Sequence, residues 1–173
     1  MATSPLGTKR PHPAVFLQDF VDVECAADDV SRRLGGGGAW LTPLASAAGG
    51  DGGTLQMRLG PSMSGELVTR EVRVRLGQPA TTTGGGAVVP IRWEDARYPA
   101  LFPVLDGDLE VARLDDGSCR LVLNASYRPP LEGIGMLLNQ ALLHRVAEST
   151  ARSFLGRVAT ELCCGEEDGQ EGR

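Results

Sequence analysis

One long amphipathic helix closes this chain, and a strand of clean alternation leads into it. Across 137–162 apolar residues recur at helical spacing. Leu143, Val146, Ala147, Thr150, Ala151, Phe154, Val158 and Leu162 form a continuous stripe, with His144, Arg145, Glu148, Arg152, Arg157 and Glu161 expected largely opposite. Just upstream, Cys119, Leu121, Leu123, Ala125 and Tyr127 alternate with other residues, and Pro129 and Pro130 stop the strand. Propensity does not hold a helix of this kind in place. Burial of its stripe does, at about 1.5–3 kcal/mol for each large apolar side chain. A sheet with one apolar face needs a cover, and this is the one long helix the sequence offers. The two requirements answer each other.

The rest of the chain supplies that sheet. Residues 15–24 read as a first strand, with Val21 and Val23 alternating against Asp22 and Glu24. A short helix follows over 26–34. Asp28 and Asp29 fall in its first turn, where carboxylates favour the helix dipole, and Val30 and Leu34 give one buried stripe. Four glycines at 35–38 break it. Trp40, Leu41 and Leu44 mark a second short helical or irregular segment.

From residue 55 the period is two. Leu55, Met57 and Leu59 alternate, then Val72, Val74 and Leu76, then Val89, Ile91 and Trp93, then Leu109 and Val111. Pro90 predicts an edge strand or a bulge. Asp115, Asp116 and Gly117 predict a hairpin turn in which glycine supplies a positive φ. Such alternation marks an antiparallel sheet with one dry face and one wet face. Arg58, Arg73, Arg75, Arg92 and Arg120 belong to the wet face, balanced by Glu71 and Glu110. The expected order is strand, short helix, irregular segment, about five strands, long helix.

Length and charge set the class. At 173 residues the chain is expected to form one domain. Residues 1–13 read as a flexible arm, 14–163 as the domain and 164–173 as an acidic flexible tail. The net charge of −5 sits largely in that tail. No basic stripe suited to phosphates is present, which argues against nucleic-acid binding. No apolar run approaches a membrane span, and the N-terminus lacks the apolar core of a secretory signal. A cytoplasmic location is the expectation. Cys25, Cys119, Cys163 and Cys164 have no metal-ligand spacing and read as reduced thiols.

The order of elements resembles the helix-grip fold of the START / Bet v 1-like superfamily, also called SRPBCC or polyketide-cyclase-like. The resemblance rests on residues 21–30 with Leu34, on Trp40 after the short helix, and on the closing strand and helix. It covers about residues 14–163. It implies an α+β fold in which a curved antiparallel sheet wraps around the long C-terminal helix. It also implies a cavity between sheet and helix for an apolar or amphipathic molecule. The members include lipid carriers, aromatic-polyketide cyclases, hormone binders and protein co-regulators, so fold alone fixes no activity.

The residues carry little overt chemistry. No nucleophile elbow, phosphate loop or paired-cysteine site is present. His144 and Glu148 stand one turn apart, a spacing suited to a metal or an acid–base pair. A third ligand is not evident, and both read as part of a solvated helix face. Cys119 reads as a small core residue. Tyr127 ends the inward face of its strand near an expected cavity mouth, where a phenol can orient a ligand carbonyl; an aromatic cap on the core is the plainer account. Asp95 and Arg97 beside Trp93 are either polar groups at the same mouth or a surface ion pair.

The inward sets read as almost wholly apolar. The expectation is therefore a non-enzymatic carrier or sensor of a small lipid-like or polyketide-like molecule, with no cofactor and no metal. Its expected lining is Trp40, Met57, Trp93, Phe102, Tyr127, Leu143, Ala147 and Phe154. A cyclase- or aromatase-like enzyme using the same cavity and a protein-interaction module with a filled core are the alternatives. A large but empty cavity with an inward Tyr, Asp or Arg would favour the enzyme.

Overall fold

The computed structural model describes residues 14–48, 54–59, 70–97, 104–128 and 140–164. Strand β1 (Val15–Val23) leads into helix α1 (Ala27–Leu34) and a 3-10 turn (Ala39–Leu44). Strands β2 (Ala45–Ala48), β3 (Thr54–Leu59), β4 (Arg70–Leu76), β5 (Ala80–Thr81), β6 (Ala87–Asp95), β7 (Leu105–Arg113) and β8 (Cys119–Tyr127) follow, and α2 (Gln140–Cys164) closes the chain. Among the described residues the strands form one sheet in the order β1-β8-β7-β6-β4-β3-β2, with β5 paired to β6. All its ladders are antiparallel. The sheet is curved and wraps around α2: the fold is α+β, a helix grip with its short helices after the first strand.

The local chemistry explains these elements. Helix α1 has Asp28 and Asp29 in its first turn and Arg32 and Arg33 in its last, matching both ends of its dipole. Its buried face is Ala27, Val30 and Leu34. The chain leaves through Gly38 at φ 87°, a left-handed conformation that side chains disfavour. The Trp40 indole N–H then donates to the Leu34 carbonyl at 3.2 Å. In β8 the five alternate residues Cys119, Leu121, Leu123, Ala125 and Tyr127 are all buried, as the alternation predicts. Cys119 is fully buried, and burial, with the neighbouring Cys25, pushes its thiol up to about 11.

Several expectations need correction. Among the described residues seven strands follow the 3-10 turn where about five were expected. The additions are β2 and β5. Residues 45–48 are small and show no alternation, so only their pairing with β3 makes them a strand. Pro90 lies in an interior strand, not at an edge. Its carbonyl accepts the Gly77 N–H at 2.7 Å, just past the end of β4 and before β5 begins. The missing proline N–H thus faces a break between two short ladders.

Gly117 does not take a positive φ. The Asp115 carboxylate accepts the Gly117 N–H at 2.8 Å and shapes the turn instead. The outer-face arginines also find other acids: Arg92 pairs with Asp106 at 2.7 Å, Arg120 with Asp22 at 2.6 Å, and Arg73 and Arg75 approach Glu94. Arg120 also lies over the exposed Phe20 ring at 4.2 Å. Helix α2 runs through Cys164, one residue into the expected tail.

Helix α2 runs along β1. Its buried residues are Ala151, Phe154, Leu155, Val158, Ala159 and Leu162. Arg157 donates to the Leu44 carbonyl at 3.3 Å, and Arg33 of α1 donates to the Leu162 carbonyl at 2.9 Å. The C-terminal half of α2 is thereby fixed against α1 and the 3-10 turn. Arg152 reaches Asp19 of β1 at 3.3 Å.

Candidate ligand-binding site

The opposite end of α2 differs. The phase of the expected stripe was set by Leu143 and Val146, and the buried residues shift it. Seven residues are nearly two helical turns. His144 is therefore aligned with Ala151 and Val158, and Glu148 with Leu155 and Leu162, all four of which are buried. His144 and Glu148 are not opposite the core face. They occupy its continuation, with side chains 40% and 48% exposed.

The sheet beneath supplies a matching row. Val74, Trp93, Leu105, Tyr127 and Val15 lie directly opposite one another on successive strands, so their side chains share the inner face. Trp93, Leu105 and Tyr127 are buried. Trp93 meets Phe154 of α2 edge-on, ring centres 5.2 Å apart. The Tyr127 hydroxyl is 3.4 Å from His144 Nδ1, and His144 Nε2 is 3.3 Å from Glu148 Oε1. Burial raises the Tyr127 phenol above its usual range, and the nearby Glu148 charge adds to that. Tyr127 is thus a neutral phenol at any ordinary pH.

Two buried carboxylates complete the inner face. Asp19 is 7% exposed; its Oδ1 accepts the Phe20 N–H at 2.9 Å and its Oδ2 accepts from Arg152. Asp95 is 4% exposed, and its Oδ1 accepts the Arg97 backbone N–H at 2.8 Å. Asp95 is therefore a buried group that takes a backbone hydrogen bond, not a surface residue. The inner face is less apolar than the sequence implied. Asp19 was missed, although it shares strand parity with Leu17, Val21 and Val23.

Of the expected lining, the structure brings together Trp93, Tyr127 and Phe154, with Ala147 one turn beyond His144 and half-buried. Trp40 is elsewhere, buried in the 3-10 turn with its N–H on α1. For Met57 and Leu143 only the backbone is described, and Phe102 lies outside the described residues. A separate shallow depression of about 290 Å³ lies between α1 and the β5–β6 turn, and none of the expected lining takes part in it. Among the described residues no three His, Cys, Asp or Glu side chains converge as a metal site. No helix among them is long and apolar enough to cross a membrane.

This geometry defines a helix-grip protein with a polar end to its core. Solved structures share the architecture. The Zhui aromatase/cyclase from Streptomyces sp. R1128 is 20% identical, with a TM-score of 0.54 over 92% of this chain and 100% of that one. Norcoclaurine synthase from Thalictrum flavum, in complex with dopamine and hydroxybenzaldehyde, is 15% identical, with a TM-score of 0.53 over 96% and 100%. Ara h 8.0201 is 8% identical, with a TM-score of 0.51 over 87% and 99%. At these identities the likeness shows the fold, the START / Bet v 1-like helix grip. No family model and no curated protein matches the sequence.

Proposed function

We propose that this protein binds a small amphipathic molecule between the sheet and the N-terminal half of α2, as a carrier or sensor. The apolar body of the molecule packs near Trp93, Leu105 and Ala147, and an oxygen-bearing end meets Tyr127. One observation carries this reading: the core face of α2 changes from fully apolar to His144 and Glu148 over the Tyr127 phenol. Sites for small molecules are mostly apolar with a few convergent polar groups. Norcoclaurine synthase, of the same fold, was solved with two aromatic hydroxylated molecules bound, which supports the same chemical class here.

Catalysis of the cyclase or aromatase type is the second reading. It is favoured by an inward tyrosine joined to an imidazole, groups able to hold and move a proton. The inward Asp19 adds to it.

Native mass spectrometry of the purified protein tests the binding reading, with a copurified apolar or amphipathic molecule as the expected result. Ala147→Trp fills the space one turn beyond His144 and is expected to abolish uptake while the circular dichroism spectrum is kept. Undiminished uptake in that variant sinks the proposed pocket.

A further inference from the structure

The three side chains at this site can occupy two hydrogen-bonding states, and the states offer different groups to a bound molecule. An ionised carboxylate only accepts hydrogen bonds. Glu148 Oε1 faces His144 Nε2 at 3.3 Å, so Nε2 is the nitrogen that carries the proton when the imidazole is neutral. Nδ1 is then bare. It faces the Tyr127 hydroxyl at 3.4 Å and can only accept. The phenol gives its single proton to Nδ1, and its lone pairs are left for a ligand. When the imidazole is charged, both ring nitrogens donate. Nδ1–H then points at the phenol oxygen, and the phenol proton is released toward a ligand.

We propose that His144, held in one tautomer by Glu148, sets the hydrogen-bond role of Tyr127, so that the site prefers a carbonyl when His144 is charged and a hydroxyl when it is neutral. This rests on the binding reading above and assigns the ligand class to its polar end. The burial of Tyr127, 4% exposed, matters here because little water competes for its one proton. The raised phenol keeps that proton on oxygen across the useful range.

The groups that face the pair from each side are few among the described residues. From β8 there is Tyr127 itself. From α2 there is Glu148, with Arg145 exposed on the same turn as His144. From β1, Asp19 shares the inner face but lies opposite Leu123, four residues along the strand from Tyr127, and its carboxylate accepts from Arg152 two turns further along α2. Imidazoles as a class change charge between about pH 5 and 8, which sets the two pH values compared below.

A matched pair of probes tests this: 2-acetylnaphthalene, whose ketone only accepts, and 2-naphthol, whose hydroxyl donates. Affinities are measured by calorimetric titration at pH 5.5 and pH 8. The ketone-to-hydroxyl affinity ratio is expected to rise about tenfold from the higher to the lower pH, the effect of about one hydrogen bond. In His144→Gln, checked as folded by circular dichroism, the ratio is expected to be flat. A flat ratio in the native protein, or the same rise in His144→Gln, overturns the inference while leaving the binding reading standing. Binding of neither probe at either pH overturns both.

The ligand-free protein gives a second measurement. Nitrogen-15 NMR at pH 8, with His12 identified through His12→Gln, is expected to show His144 protonated on Nε2. Glu148→Gln is expected to turn that state into a mixture of tautomers. A proton on Nδ1 in the native protein overturns the inference.

Discussion

The two halves of α2 present the same face to the same sheet and do opposite things with it. From Ala151 onward that face is Ala151, Leu155, Val158 and Leu162 with Phe154 and Ala159 at its margins, all buried. One and two turns earlier the same face carries Glu148 and His144, and none of the described side chains there is fully buried. The partners change with it. The C-terminal half meets Trp93 through Phe154 and is tied to α1 and the 3-10 turn, and the N-terminal half meets the Tyr127 phenol through His144. One half stabilises the fold, and the other carries the polar groups that the proposed ligand would meet. A helix that packs well at one end can tolerate a poorly packed, polar end, because the burial at the first end already holds it in place.

The sharpest way to break this contrast is Phe154→Ala. It removes a fully buried ring that meets Trp93, and it is expected to cost about 3–5 kcal/mol, read from urea unfolding. A loss under about 1 kcal/mol would mean that the C-terminal half is no better packed than the other. Arg152→Met sits at the boundary. It strips a buried Asp19 carboxylate of its guanidinium, but Arg152 is largely exposed, so a loss of about 1 kcal/mol or less is expected, smaller still in high salt. Tyr127→Phe is expected to change unfolding stability least of the three, by under about 1 kcal/mol, because its hydroxyl makes a long bond to a half-exposed imidazole.

Alkaline titration sharpens the same comparison from the packed end. The Cys119 thiol is raised in the folded state, to about 11 from an ordinary value near 9. Between those values the folded protein holds a proton that the unfolded chain releases. This contribution is complete below about pH 9 and is lost as pH rises toward 11. The melting temperature is expected to fall over that interval, and less steeply in Cys119→Ala. Equal slopes in the two proteins would show that Cys119 is not buried in the way described.

Much of the fold was readable from residue spacing, for reasons visible in particular elements. The inward set from Cys119 to Tyr127 was legible because one strand with a period of two leaves no other phase. The first turn of α1 was legible because Asp28 and Asp29 mark a helix start. Strand β2 was not, since four small residues carry no periodic signal. The hairpin turn at 115–117 was legible, but its shape was credited to glycine because an aspartate side chain can do locally what glycine does through φ.

The site was half legible. Tyr127 and Trp93 could be placed on the inner face, but Tyr127 could not be joined to His144 while the helix phase was drawn through Leu143 and Val146. Counting back by sevens from Ala151 and Leu155 would have put His144 and Glu148 on the inner side. Asp19 was passed over because an acid among valines reads as a solvent-facing residue unless parity is enforced.

Pro90 has a consequence for how this architecture can vary. Because β6 changes partner there, the two residues after Gly77, which itself bonds Pro90, are not bound to keep step with a long ladder on either side. Lengthening or shortening the chain at 78–79 would alter the outer rim beside α1 and leave the alignment of Trp93 with Val74 and Leu105 untouched. The proline divides the sheet into a part that can diverge and a part whose register has to be kept.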